Sequence, residues 1–332
     1  MNMRVTPALL GKALFLFMAV CAVLAQAQPG GVPAYPTKPV RIVVGFAPGG
    51  GTDIVGRIIA QKLSEATGQS FFVDNRPGAS ATIASGLVAK AVPDGYTLII
   101  GIPTSHSVLP VLMSKLSYDA IRDFEPIAMV AQVPLLLVVH PSLPVRTVAN
   151  LITLAKARPG QLSFGNGGIG TPPHMAGELF KQMAGVDLLH VPYKGEAPAI
   201  TEVIGGQISL IFSGIAAVLP HVQAGRLRGI AVTGTERVAT LPEYPTVADS
   251  GLPGFSVDAW YGLLGPAGMP KEIVAKLNRE LVRMLDLPDV RERLATQGLL
   301  VKTSTPEQLG SYMKLEIEKW AKVVKNAGLK LD

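Results

Sequence analysis

Two glycine-rich loops hold the residues best placed for chemistry in this chain of 332 residues. The first reads Phe46-Ala47-Pro48-Gly49-Gly50-Gly51-Thr52-Asp53, and the second Gly165-Asn166-Gly167-Gly168-Ile169-Gly170-Thr171, with His174 three positions on. Each loop follows a short apolar run and precedes a stretch with helical spacing. A glycine loop feeding a helix start presents free backbone N–H groups and about half a positive charge, which accept an anion without any lysine. The chemistry expected is therefore binding of a small carboxylate between the loops. Thr104 and Ser105, Tyr193, and Ser213 each follow a further apolar run and would shape the rest of the cavity.

Other chemistries fit less well. Gly165-x-Gly167-x-x-Gly170 matches the dinucleotide fingerprint literally. That fingerprint belongs to an opening strand–helix–strand unit with an acidic residue about 20 positions on, whereas Asp187 begins the next strand. The first loop lacks the Gly-Lys-Ser/Thr of a nucleotide-hydrolysing loop, and there is no Gly-x-Ser-x-Gly. Ser105 beside His106 is no dyad by adjacency, because catalytic partners must meet in space. The histidines (106, 140, 174, 190 and 221) show no His-x-x-x-His pair and no neighbouring acidic cluster, so neither metal nor cofactor is expected. His174 reads as a structural residue or a ligand contact, and Lys194 as an anion contact or a solvated loop lysine.

The elements that position these loops alternate between strand and helix. Arg41 to Phe46, Gln69 to Asp74 and Tyr96 to Gly101 read as strands, with helices from Thr52–Asp53 (either residue serving as the cap) to Gly68 and over Ala81 to Ala91. A second series follows: helices at 147–157, 172–185, 197–205 and 215–224, and strands at 161–165, 186–191, 208–212 and 227–233. Such alternation predicts an α/β fold of parallel, doubly wound sheets, in which ligands sit at the carboxyl ends of strands. Two apolar runs, 134–141 and 259–266, read as strands passing between two lobes; helices at 271–285, 289–297 and 306–327 close the chain. Lobe 1 is expected over residues 36–138 plus 259–332 and lobe 2 over 139–258, with the cleft and a hinge between them.

Arg4, Lys12, the apolar run Ala13 to Leu24 and Ala25-Gln26-Ala27 read as a secretory signal peptide over residues 1–27. The only cysteine, Cys21, lies inside it, and Val20 before it is bulkier than lipidation sites usually carry, so the mature chain has no disulfide or thiol nucleophile. The formal charge of +6 is spread without basic clusters or interleaved aromatics, which excludes a nucleic-acid partner and favours anions only weakly.

These stretches together resemble the substrate-binding proteins of tripartite tricarboxylate transporters, the Bug family. The resemblance rests on VVGFAPGGGTD, VDNRPGAS, PDGYTLIIG, HMAGELF, HVPYKG, VIGGQISLIF, LPEYPTVADSGLPGF and WYGLLGPAG, in that order over residues 35–332. It implies a two-lobe, class II periplasmic binding protein that closes on a small organic acid and delivers it to a membrane permease, without catalysis. It also implies that amides and ordered waters of the two glycine loops hold the carboxylate. Asn166-Gly167 and Phe212-Ser213-Gly214 depart from the family's usual residues where the far end of the ligand is read. The acid is expected to be a di- or tricarboxylate or an aromatic acid, and the protein a monomer. Two alternatives stand beside this reading: an exported enzyme acting on a small acid, and a binding protein serving a sensor partner.

Overall fold

A computed structural model describes residues 35–331. The signal-peptide segment 1–27 and Cys21 lie outside the described residues. Strand β1 (Val40–Val44) pairs in parallel with β2 (Phe71–Asn75) and β3 (Thr97–Gly101). Val40, Ile42, Val43 and Val44 are fully buried, as expected of a strand covered on both faces. Helix α1 (Gly51–Thr67) connects β1 to β2 and α2 (Thr82–Ala89) connects β2 to β3. Neither Thr52 nor Asp53 caps α1. The cap is Gly50, two to three residues earlier, because the Asp53 carboxylate is engaged elsewhere. Gly68 ends it in the left-handed region, as the sequence indicates.

After β3 come a turn of wide helix, Thr104–Val108, and the short α3 (Leu109–Leu112). Strand β4 (Phe124–Val139) is the longest. The sequence reading recovered only its second half. Glu125, Pro126 and Gln132 break the apolar pattern of the first half, and register shifts at 126/128 and 129/131 accommodate them. The other half of the molecule contains α4 (Val148–Ala157), β5 (Ser163–Asn166), α5 (Pro172–Ala184), β6 (Leu189–Pro192), α6 (Glu196–Ile204), β7 (Leu210–Gly214), α7 (Ile215–Gln223) and β8 (Arg228–Val232). Strand β9 (Asp258–Pro266) then returns to the first sheet, followed by α8 (Lys271–Leu285), α9 (Pro288–Ala295), the unexpected two-residue β10 (Leu300–Val301) and α10 (Pro306–Ala327).

The sheets are mixed. β1, β2 and β3 run parallel, as do β5, β6 and β7, whereas every pairing of β4 is antiparallel. Residues 124–134 of β4 pair with β9 and residues 135–139 with β7 and β8, so one strand belongs to both sheets. β9 pairs only with β3 and β4, and the second crossing lies just before it. There Thr233, fully buried, joins both crossings. Its hydroxyl donates to the Val257 carbonyl (2.6 Å) and accepts from the Leu135 N–H (2.7 Å), while the Val257 N–H donates to its carbonyl (3.0 Å). Thr233→Val leaves the Leu135 N–H and Val257 carbonyl unpaired in a dry setting, at a cost of about 1–3 kcal/mol. Chemical denaturation should therefore show a lowered midpoint; an unchanged midpoint would mean that water takes over both groups.

Apolar packing follows the same division, with one exception. Phe164, Phe180, Phe212 and Phe255 form a core to which Val108, Leu109 and Leu112 contribute from beyond β3, and Trp320, Val323 and Val324 from the far end of α10. The near end of α10 gives Leu309 and Met313 to a separate cluster with Val43, Ile99 and Trp260. Thr305 and Gln308 form a reciprocal capping box at its start, with Pro306 at the first position.

Candidate functional site

One carboxylate shapes the first glycine loop. Asp53 is 2 % exposed; its Oδ2 accepts from the Gly49 N–H (2.9 Å) and Arg57 Nε (2.8 Å), and its Oδ1 from Asn75 Nδ2 (2.9 Å). The same Asn75 amide donates to the Phe46 carbonyl (2.9 Å). Burial pushes the Asp53 carboxyl up, but the bonds from Arg57, Gly49 and Asn75 and the charge of Arg57 outweigh it and hold the group down at about 2. Gly49 has φ +93°, a conformation that glycine adopts without strain. At Gly51 a Cβ would stand 2.7 Å from the Tyr261 hydroxyl oxygen, so glycine is what lets this ring come down on the helix start. Burial raises the Tyr261 phenol, and the neighbouring Thr52 side chain offsets part of that rise. The first intrahelical bond runs from the Ile54 N–H to the Gly50 carbonyl (3.0 Å), so the N–H groups of Gly51, Thr52 and Asp53 have no partner within α1.

The second loop is built differently. Its Gly168 N–H donates to Asn166 Oδ1 (2.9 Å), its Gly170 N–H to His174 Nδ1 (3.2 Å), and its Thr171 N–H to the Gly168 carbonyl (3.4 Å). Thr171 occupies the cap position of α5, but its hydroxyl donates to the Gly168 carbonyl (2.7 Å) and receives no bond from the helix. Pro172 and Pro173, the first two helical residues, have no N–H. This helix start is therefore poorer in free donors than that of α1, which the sequence reading had treated as its equal. Gly167 is required by close approach: a Cβ would meet the Glu196 nitrogen at 2.8 Å and the Gly195 carbonyl carbon at 2.9 Å.

Between the loops lies a cavity of about 300 Å³. Phe46, Thr52, Thr104, Gly167 and Thr171, all expected from sequence, contribute to its wall. The other expected residues surround these. Pro48, Gly49 and Gly50 are exposed on the first loop, as is Ile169 on the second. Asn166, fully buried, donates through Nδ2 to His190 Nε2 (2.5 Å). Tyr193 packs against the cluster of Ala199, Ile200 and Ile208, and Lys194 is exposed. Ser213, fully buried, donates to Glu196 Oε1 (2.6 Å). Sequence reasoning missed Val133, Leu135, Trp260, Tyr261 and Glu196, which also line the wall, as do Ile102, Pro103, Pro172, Pro173, Gly214 and Ala259. The signal for Tyr261 and Trp260 was present: they open the strand already read at 259–266, on the side where the chain enters from the second half.

Ser105 and His106, set aside because neighbours in sequence need not meet, do meet: Ser105 Oγ lies 2.8 Å from His106 Nδ1. Both are buried, the Ser105 carbonyl accepts from the Tyr118 hydroxyl (2.6 Å), and the His106 ring stands edge-on to Phe124 at 4.8 Å. Burial pulls this imidazole down to about 3, so it remains neutral and takes no proton at physiological pH. The histidines also show a proximity that sequence spacing hid. The fold brings His190 from β6 to His174 and Glu178 on α5, with ligand atoms within 4.8 Å of one another. The lone pairs there are already in use. The Gly170 N–H donates to His174 Nδ1, which leaves the proton on Nε2, and the Asn166 amide, oriented by Gly168, donates to His190 Nε2. Glu178 pairs with Lys181 (3.3 Å). Burial and the charges of His190 and Lys181 hold His174 down at about 3. The His174 and His190 rings lie against each other at 4.4 Å between centroids and support Gly170 through His174 Nδ1, while His174 Nε2 has no partner among the described residues.

The comparisons with known proteins agree with this geometry. Residues 55–329 match the model of the tripartite tricarboxylate transporter family receptor. The chain belongs to that family. BugT of Bordetella pertussis is 35 % identical over 334 residues, spanning 100 % of both chains. Rpa4515 of R. palustris, solved with adipate, superposes with a TM-score of 0.78 at 40 % identity, over 89 % of this chain and 99 % of its own. MatC of Rhodopseudomonas palustris, solved with bound malate, gives 0.74 at 34 %, over 87 % of this chain and 100 % of its own. The fold is the two-lobe fold of periplasmic binding proteins, and the family is one of solute receptors, two solved relatives of which hold the small carboxylates adipate and malate.

Proposed function

We propose that this receptor captures a small organic carboxylate in the cavity between its glycine loops and passes it to the membrane permease of a tripartite tricarboxylate-type transporter. The observation that carries this reading is the start of α1: the Gly51, Thr52 and Asp53 amides without intrahelical partners, at a loop pinned by a buried, ionised Asp53, with Thr52 in the cavity wall. An anion there meets the positive end of a helix, worth about 0.3–1 kcal/mol and up to ~2 when partly buried. Water-bridged amides of the second loop add contacts of comparable enthalpy. Adipate and malate in the two relatives are acids of this class.

Lobe 1, residues 36–138 with 259–332, and lobe 2, residues 139–258, close on the acid about the two crossings tied by Thr233. The chain works in the periplasm as a monomer after removal of residues 1–27, and performs no turnover. Among the described residues no helix is long and apolar enough to cross a membrane, in keeping with a separate permease.

A thermal-shift screen of the chain from residue 28 against mono-, di- and aromatic carboxylates, with neutral amides and nucleotides as controls, tests the reading. A ligand that binds only the folded state adds about 2.7 kcal/mol of stability at one hundred times its Kd. A raised melting temperature with a carboxylate and none with its amide is the expected result. Response to nucleotides alone would return attention to the Gly165-x-Gly167-x-x-Gly170 fingerprint and sink the proposal.

A further inference from the structure

The wall of a cavity proposed to bind an anion includes a carboxylate of its own. Glu196 opens α6, next to Gly167, and its Oε1 accepts from the Ser213 hydroxyl (2.6 Å) and the Gly214 N–H (3.2 Å). These bonds fix its place. Gly214 also lines the cavity, and the positive end of α6 favours a negative charge at this position. No lysine or arginine among the described residues forms an ion pair with Glu196, and its Oε2 accepts no hydrogen bond from them. The neighbouring basic side chain, Lys194, is exposed. The charge is felt across the cavity: Glu196 is among the groups that raise the Tyr261 phenol, after burial. Tyr261 in turn stands over the start of α1, where a Cβ on Gly51 would meet its hydroxyl oxygen at 2.7 Å. The cavity thus has a positive end at α1 and a negative end at α6, with Tyr261 within the influence of both and with Val133, Leu135 and Trp260 as apolar wall.

We propose that Glu196 sets the ligand class: the cavity takes an acid with one carboxylate, held at α1, whose far end is a hydrogen-bond donor, a protonated amine foremost and a hydroxyl next, and it rejects α,ω-dicarboxylates. A second ligand carboxylate at the α6 end faces an unpaired like charge across a cavity of about 300 Å³, where such repulsion is screened less than in bulk water. A donor there satisfies the free Oε2, and a cation also neutralises it. This inference rests on the carboxylate reading above and sharpens it. The adipate and malate receptors are then relatives with a different far end.

The test is titration calorimetry of the chain from residue 28 with chain-matched pairs: γ-aminobutyrate, γ-hydroxybutyrate and succinate, then ε-aminocaproate and adipate. The same series is repeated on Glu196→Gln, whose amide oxygen still accepts from Ser213 and Gly214. The wild type is expected to favour each amino acid over its matched diacid by roughly a hundredfold, with the hydroxy acid between. Glu196→Gln should shrink that ratio at least tenfold, chiefly by gaining affinity for the diacid, with an unchanged ligand-free melting temperature as the control for folding. A wild type that binds succinate or adipate as tightly as the matched amino acid overturns the inference while leaving the carboxylate reading standing. A preference unaltered in Glu196→Gln overturns it as well. Absence of binding by every acid in the series, together with no shift across the wider carboxylate panel, overturns both.

Discussion

Replacing Asp53 by alanine should weaken acid binding by roughly ten- to a hundredfold and lower stability by about 2 kcal/mol without unfolding the protein. The side chain lies outside the cavity wall, so the effect on binding is indirect. Without its carboxylate the Gly49 N–H, Arg57 Nε and one Asn75 donor lose their acceptor, and the loop from Phe46 to Gly51 loses the tie that aims the amides of α1. The stability figure follows from the carboxyl being held at about 2 instead of 3.8, in a side chain only 3 % exposed. The sign is that of a depressed acid. The contribution is fully present above the unfolded value near 3.8 and is lost as pH falls through the folded value near 2. Melting temperatures of wild type and Asp53→Ala should therefore differ by a constant amount from about pH 5 to 8, draw together below that, and converge only as pH falls through about 2. Calorimetry with the tightest acid from the screen measures the other half; equal affinities would mean that loop order makes no contribution to the site.

The largest loss of stability is expected from Trp320→Ala. Trp320 is 1 % exposed, its Nε1–H donates to Glu316 Oε2 (3.0 Å), and Lys319 Nζ lies 4.3 Å from its ring centroid while also pairing with Glu316. Truncating a buried tryptophan leaves a large cavity and costs about 3–5 kcal/mol, and here it also deprives a buried glutamate of a donor. Set against a total of roughly 5–15 kcal/mol, this should drop the melting temperature by about 6–10 °C, at roughly 2 °C per kcal/mol for a chain of this size. Trp320→Phe, which refills much of the space but not the hydrogen bond, should fall in between. A change under about 1 kcal/mol in Trp320→Ala would mean that the neighbouring Val323 and Val324 collapse into the gap.

What could be read from sequence follows from the range over which each signal acts. Helices 271–285 and 306–327 were read to the residue, because the apolar period, the proline at the first turn and the Thr305–Gln308 box are all local. The glycine loops were equally legible, since a break between an apolar run and an amphipathic one needs no tertiary context. The start of α1 lies two or three residues before the expected cap because Asp53, a good cap by type, is drawn to Arg57 and Asn75 instead, and Asn75 lies on another strand. The first half of β4 escaped because irregular pairing with β9 tolerates Pro126 and Gln132, and only the partner strand reveals it. Glu196 escaped for a different reason. An acidic residue in the first turn of a helix reads as a favourable terminus, and nothing local tells that the same carboxylate faces a cavity shared with Tyr261. The departure noted at Ser213-Gly214 falls on the two groups that donate hydrogen bonds to Glu196.

The division of α10 between two cores has a consequence in time. Leu309 and Met313 pack with the first sheet, and Trp320, Val323 and Val324 with the phenylalanines of the second half, residues that were synthesised far earlier. A nascent chain that has already emerged as far as Val301 possesses every strand of both sheets and still lacks part of the interior of each. Until α10 packs, each half lacks apolar side chains that belong to its core, and that surface is open to non-specific association. Helix α10 thus couples the stability of one half to that of the other through a single continuous element.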